Sequence, residues 1–258
     1  MLKTKRQTEI IEYLRENTFA TVDELSRKLY ASHPTIRRDL TLLESEGYIK
    51  RCHGGATILE DNAKPPIYFR SEQNTKEKTK MCRVAAELIG EKSVILIDAS
   101  STVFHISDFL SRDLEITVIT NGLPAATKFA DAGYTVYSVG GRLLKESQAY
   151  VGKPAEEALL SYNADLMFFS VASLSDDGIL SDWSESEASL RIAMTKSAKK
   201  VVLMCDSTKF GTRSTFTLFP LSKVDFVICD KPLSDDLINQ YSLKERINAP
   251  AYLYEVSH

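Results

Sequence analysis

Apolar residues in the first sixty positions form three short helical stripes followed by two extended runs. Ile10, Ile11 and Leu14 mark the inner face of a first helix, roughly Lys3 to Glu16. Thr21-Val22-Asp23-Glu24 has the spacing of a capping box. In it the hydroxyl and the carboxylate each satisfy a free N–H at the start of a second helix, whose buried side is Leu25 and Leu29. Tyr30-Ala31 leads into a tight connection. Ser32 suits the N-cap of a third helix and Pro34 its first turn, where no backbone N–H is needed. Ile36, Leu40 and Leu43 recur at i, i+4 and i+7, and Gly47 suits the helix stop. Beyond it, Tyr48–His53 and Ala56–Leu59 flank Gly54-Gly55 and predict a β-hairpin.

From Lys76 onward the pattern changes to apolar runs alternating with helical stripes. Strands are expected at Ser93–Asp98, Glu115–Thr120, Thr135–Val139, Leu166–Ala172, Lys200–Cys205, Asp225–Cys229 and Ala251–Glu255. Helices fit at Lys76–Ile89, Thr102–Leu110, Leu123–Asp131, Pro154–Ser161, Ser184–Ala198 and Ser234–Gln240. Such alternation predicts a mostly parallel sheet with both faces covered. Between the two patterns, Pro65-Pro66 cannot lie inside a helix. Residues 59–74 therefore read as a linker. The expected fold class is a two-domain chain: an N-terminal winged helix-turn-helix over 1–58, and a C-terminal α/β domain with a mostly parallel sheet flanked by helices over 75–258.

Composition adds limits. At 258 residues, 43% hydrophobic and 26% charged, the chain has enough apolar material for sizeable cores, which excludes disorder as its main state. A formal net charge of −3 argues at first against a nucleic-acid partner. Divided at residue 58, the charge becomes +2 on the small piece and −5 on the large one, and the objection weakens. No apolar run approaches the ~18–20 residues that span a bilayer. No apolar segment of the signal-peptide kind follows the basic start. A cytoplasmic protein without membrane contact is expected. Cys52, Cys82, Cys205 and Cys229 are scattered with no CxxC pair, and the four histidines have no metal-ligand spacing. Reduced thiols, no metal and no cofactor are the expectation.

The polar positions carry the candidate chemistry. On a helical wheel Arg37, Arg38 and Thr41 lie away from the Ile36/Leu40/Leu43 stripe, while Ser32, His33 and Thr35 cluster at the helix start. An Arg-Arg pair alone is usually a solvated face. Here it follows a capped turn and precedes a hairpin carrying Lys50, Arg51 and His53. That combination suits a recognition helix with a basic wing, whose N-terminal residues reach base edges in the major groove. In the larger piece four polar loops follow buried strands: Asp98-Ala99-Ser100-Ser101-Thr102, Thr120-Asn121-Gly122, Gly140-Gly141-Arg142 and Asp206-Ser207-Thr208-Lys209. Hydroxyls and free N–H groups at a helix start, with Arg142 and Lys209 nearby, make an anion pocket. Ligands in open α/β sheets sit outside the carboxyl ends of the strands. Asp182 and Glu187 read equally well as solvated carboxylates at a helix start, and His105 and Trp183 as packing residues.

Ser32-His33-Pro34-Thr35-Ile36-Arg37-Arg38-Asp39-Leu40, then Leu43-Glu44, Gly47, Arg51 and His53-Gly54-Gly55-Ala56, strongly resembles the DeoR family of bacterial transcriptional regulators. Arg6, Ile10 and Leu14 fit that family's opening helix. The resemblance implies that Thr35, Arg37 and Arg38 contact DNA, while Asp39, repelled by phosphate, orients an arginine or a backbone group. It extends over Arg70, Asn74, Lys78, Asp98–Thr102, Thr120-Asn121, Val139-Gly140-Gly141, Val151-Gly152, Glu187-Ala188 and Asp206–Phe210, nearly the whole chain. It implies a sensor domain resembling ribose-5-phosphate isomerase and coenzyme A transferase folds that binds a phosphorylated sugar or related anionic metabolite. Lys78, Asp98, Ser100, Ser101, Thr102, Asn121, Gly141, Arg142, Glu187 and Lys209 are the candidate effector residues. Two departures stand out: Ala99-Ser100 where the family usually has a glycine, and Ser170-Val171-Ala172-Ser173 in place of a Gly-x-x-Gly. The expected function is a DNA-binding regulator, a homodimer or higher oligomer on a double-stranded operator, repressing a sugar or related carbon-metabolism operon. The rival reading is a sugar-phosphate isomerase-like enzyme with an appended helical domain, using Asp98, Glu187 and Lys209.

Overall fold

The computed structural model describes residues 5–45, 48–52, 54–58, 67–247 and 249–257. It divides into two compact units, Met1–Gln73 and Asn74–His258.

The first unit contains α1 (Lys5–Asn17), β1 (Phe19–Thr21), α2 (Val22–Lys28), α3 (His33–Ser45), β2 (Ile49–Cys52), β3 (Gly55–Ile58) and α4 (Ile67–Glu72). The capping box at α2 is complete. Thr21 Oγ1 accepts from the Glu24 N–H at 3.0 Å and Glu24 Oε2 accepts from the Thr21 N–H at 2.8 Å. Ile10, Leu14, Leu25, Ile36, Leu40, Leu43 and Ile49 are fully buried in one core, each contributing about 1.5–3 kcal/mol of apolar burial. The hairpin β2–β3 forms as the sequence predicts, but β1 joins it antiparallel to make a three-stranded sheet in the order β1-β3-β2. Gly55 allows this. A Cβ there would stand 2.2 Å from the Ala20 carbonyl oxygen, so only a glycine lets β1 close over β3. Helix α4 occupies part of the segment read as linker, and Gly47 and the tandem prolines lie outside the described residues.

The second unit runs α5 (Thr75–Glu87), β4 (Val94–Ile97), β5 (Thr117–Thr120), α6 (Leu123–Asp131), β6 (Thr135–Ser138), β7 (Arg142–Leu143), β8 (Tyr150–Val151), α7 (Lys153–Leu159), β9 (Ala164–Phe169), β10 (Ser173–Leu174), β11 (Ile179–Asp182), α8 (Glu185–Thr195), β12 (Ala198–Met204), β13 (Phe216–Pro220), β14 (Phe226–Cys229), α9 (Asp235–Gln240), β15 (Leu243–Ile247) and β16 (Tyr252–Val256). The stretch expected as a helix at Thr102–Leu110 is a 3-10 helix over Val103–Phe109. Eight strands form the main sheet in the order β15-β16-β14-β12-β9-β4-β5-β6. Six of them, β14 through β6, are mutually parallel, and β16 and β15 add an antiparallel edge.

Alternate residues of each central strand enter opposite cores. Ile95, Ile97, Phe168, Val202 and Met204 pack with α5 and α6 through Met81, Val84, Ala125 and Phe129. Leu96, Met167, Phe169, Val201 and Leu203 pack with α7, α8 and α9 through Leu159, Leu190, Met194 and Leu237. The sheet thus has helices on both faces. Its strand order reverses between β4 and β9: the chain steps outward through β5 and β6, then returns beside β4 and proceeds to β12 and β14. A crevice at the carboxyl ends of the strands opens at such a reversal.

Candidate nucleic-acid interface and effector site

In the first unit, Arg37, Arg38 and Lys50 are exposed and make no ion pair among the described residues. Helix α3 presents the two arginines because Ile36, Leu40 and Leu43 fix its opposite side in the core. Ser32 and Thr35 share a hydrogen bond between their hydroxyls at 2.9 Å at the helix start. His33 Nε2 lies 3.2 Å from Asp23 Oδ1, so its ring is tied to α2. Arg51 reaches across from β2. Its Nη1 donates to Thr41 Oγ1 at 2.7 Å, and its backbone N–H donates to Glu44 Oε1 at 2.7 Å. Strand β2 and helix α3 are therefore fastened together at these residues. His53 lies outside the described residues. Asp39, alone among the polar residues of α3, is buried. It accepts from Arg6 Nε at 2.5 Å and from Gln7 Nε2 at 3.3 Å, and the Asp39 carboxylate raises the Arg6 pKa.

In the second unit the polar loops line up along one edge, because each follows a parallel strand. Asp98–Thr102 follows β4, Asn121 follows β5, Gly140-Gly141 follows β6, Ser170 follows β9 and Asp206–Lys209 follows β12. Lys78, Asp98, Ser100, Ser101, Thr102, Asn121 and Glu187 are all buried. From α5, Lys78 Nζ reaches Ser101 Oγ at 3.3 Å. Lys209 Nζ donates to Ser170 Oγ at 2.8 Å and lies 3.3 Å from Asp206 Oδ2. Asp206 also accepts from Asn74 Nδ2 at 3.2 Å and from the Thr208 N–H and hydroxyl. Burial alone would raise the Asp206 pKa, but Lys209 and the Thr208 donors outweigh it and hold the carboxyl below its usual range. Two buried oxygens here, Thr102 Oγ1 and Asn121 Oδ1, have no hydrogen-bond partner among the described residues. The Asn121 amide nitrogen donates to the Tyr150 carbonyl at 3.2 Å, which docks the β7–β8 ribbon onto this loop.

Asp98 differs from the expectation. Asp98 Oδ2 accepts from Arg191 Nε at 2.8 Å and its Oδ1 from the Ser100 N–H at 3.0 Å, so both oxygens already serve the protein. Arg191 Nη1 in turn donates to Asp182 Oδ2 at 2.6 Å. Burial opposes the charge on Arg191, but Asp182 and Asp98 more than offset it and raise its pKa. Asp182 and Glu187 are 1% and 2% exposed, which corrects their reading as solvated carboxylates. Arg191 and Asp182 thus organise the β4 loop, a role the residue types alone did not assign. The signal was there: Arg191 lies four residues after Glu187 and between Leu190 and Met194, on the buried stripe of α8. Gly141 and Arg142 are exposed. Gly141 has φ +105°, and a Cβ would meet the Val151 carbonyl at 2.8 Å, so its backbone rests on the start of α7. The four cysteines are free, and burial pushes the Cys82 and Cys205 thiols up to about 12.

Comparison with known proteins decides the family. The DeoR-like helix-turn-helix domain matches residues 6–62, and the DeoR C terminal sensor domain matches residues 73–231. The chain belongs to the DeoR family of transcriptional regulators. Among curated relatives of this DeoR-family chain, the HTH-type transcriptional regulator GolR of Listeria innocua is 33% identical, over 93% of this chain and 96% of its own. A putative aga operon transcriptional repressor of Escherichia coli O157:H7 is 30% identical, over 90% of this chain and 88% of its own. The HTH-type transcriptional repressor GlcR of Bacillus subtilis is 31% identical, over 90% of each. Among solved structures, ribose 5-phosphate isomerase A of Methanocaldococcus jannaschii aligns at 16% identity and a TM-score of 0.41, over 54% of this chain and 55% of its own. This DeoR-family protein is a DNA-binding regulator with a sensor domain, not an enzyme, and the isomerase-like reading falls. Among the described residues no helix is long and apolar enough to cross a membrane.

Proposed function

We propose that the chain represses a sugar or related carbon-metabolism operon from the cytoplasm, as a homo-oligomer whose operator affinity is set by a phosphorylated small molecule. Residues 1–58 read DNA, 59–74 link, and 75–258 sense. Ser32, His33, Thr35, Arg37, Arg38, Thr41, Lys50, Arg51 and His53 form the DNA-reading surface. Lys78, Ser100, Ser101, Thr102, Asn121, Gly141, Arg142 and Lys209 hold the effector. The buried Glu187 joins them, and Asp98 serves that site from behind it by fixing the Ser100 N–H and Arg191.

The observation that carries the effector reading is that Lys78 reaches the Ser101 hydroxyl after β4 and Lys209 the Ser170 hydroxyl after β9, the two strands at the order reversal, with the Thr102 and Asn121 oxygens buried and without a hydrogen-bond partner among the described residues. Buried polar atoms in native proteins are nearly always partnered, so these two favour a polar ligand. The two relatives named as repressors support the sign of regulation. Ligand binding would regulate by preferring one arrangement of the protein over another.

The test is a thermal-shift screen of sugar phosphates against their parent sugars. A ligand bound only by the native state raises the apparent melting temperature. A phosphorylated compound is expected to do so where its parent sugar does not, and Lys209→Ala should abolish the difference. Equal shifts from parent sugars, or an unchanged shift in Lys209→Ala, overturn the reading.

A further inference from the structure

We infer that Arg6, on the first helix, is a DNA-phosphate contact, positioned by Asp39 on the flank of the recognition helix opposite the wing. At 100° per residue around α3, Thr41 falls between Arg37 and Arg38 and Glu44 falls just beyond Arg37, and these two residues hold Arg51. Asp39 lies beyond Arg38, between the half-buried Thr35 and the buried Ile36 stripe. The wing strand thus meets the helix at the exposed face and on its Arg37 side, and the Arg6–Asp39 pair stands beyond its Arg38 side.

A helix seated in the major groove has a phosphate strand on each side, and phosphate contacts set its register and tilt. Arg51 is placed for one strand. Arg6 is placed for the other, and its geometry leaves it equipped. Asp39 engages only Nε, so the two Nη groups carry no hydrogen bond to the described residues. The Arg6 side chain keeps 36% of its exposure while that of Asp39 keeps 6%. The guanidinium is anchored at its inner edge and open at its outer edge, the planar fork that suits bidentate phosphate binding. Gln7 Nε2 takes the second Asp39 oxygen, which keeps the carboxylate turned inward and away from the phosphate it would repel.

The measurement is binding by the full chain to two duplexes: one enriched from a random-sequence pool by the unmodified protein, and poly(dI-dC). Each is titrated across a salt series, with a melting curve for every variant. Arg6→Gln alone strands a buried carboxylate, so the informative variant is Arg6→Gln with Asp39→Asn, which keeps a hydrogen bond and removes both charges. A phosphate contact is sequence-independent, so affinity should fall about tenfold on both duplexes, and the slope of log K against log salt should shrink by about one. Wild-type affinity and slope in a folded double variant overturn the inference. Should the double variant melt early, Arg6→Lys decides. It keeps the pair with Asp39 but gives up the open fork, so weakened binding to both duplexes supports the contact and unchanged binding overturns it.

Discussion

The two units hold their cations in opposite ways. On the DNA-reading unit, Arg37, Arg38 and Lys50 stand in solvent without an ion pair among the described residues. On the sensor unit, Arg191 is locked between two carboxylates, and Lys209 is shared between Ser170 and Asp206. The first arrangement has its charges ready for a polyanion from outside, and its affinity is tuned by salt. The second keeps its charges satisfied internally, so an arriving anion competes with protein partners for them. The difference implies that mutations in the first surface change binding with little change in stability, whereas mutations in the second change stability first.

The largest expected effect is at Arg191. Arg191→Met leaves Asp98 and Asp182 buried without their cation, a defect that costs about 3–5 kcal/mol. Urea denaturation should show the loss, and a midpoint equal to wild type would break the contrast. Next come Arg37→Ala and Arg38→Ala. Each should weaken operator binding by about 1–3 kcal/mol, roughly five- to 150-fold, with an unchanged melting curve. Unchanged affinity for both in a gel-shift assay would remove the recognition-helix assignment. A smaller effect is expected at Ser170→Gly. Releasing Lys209 from the serine hydroxyl should enlarge the thermal shift given by any sugar phosphate that binds the parent protein, and a smaller shift would show that the hydroxyl helps hold the ligand. The smallest concerns pH. The Asp206 carboxyl titrates below its unfolded value. Its stabilisation is therefore present above the unfolded carboxylate pKa and lost as pH falls through the lower, folded one. Asp206→Asn should flatten that acid-side loss, read from melting temperatures across the acid range.

The sequence revealed elements wherever local signals act alone. The capping box at Thr21, the α3 stripe and the six parallel strands each depend on residues within one segment, and they stand within a few positions of where periodicity puts them. Pieces that exist only through distant pairing were missed. Strand β1 is three residues long and is a strand because Ala20 pairs with Ala56, while the β10-β11-β13 sheet and β15 depend likewise on partners elsewhere in the chain. At the candidate site the loops were legible and the direction of their side chains was not. Whether Asp98 faces a ligand or Arg191 depends on α8, ninety-three positions away. Asp39 was readable as a positioning group because a carboxylate would be repelled by the phosphates the resemblance brings near Arg37 and Arg38, and Arg6 proved to be its partner.

The bond from Arg51 to Thr41 also bears on how such a reader can be re-engineered. Grafting a foreign α3 into this scaffold would change its exposed residues, but it would cut the ties to the wing unless position 41 retained a hydroxyl and position 44 a carboxylate. Helix and wing form a single transplantable cassette, and swaps that carry both should transfer operator preference more faithfully than swaps of the helix alone.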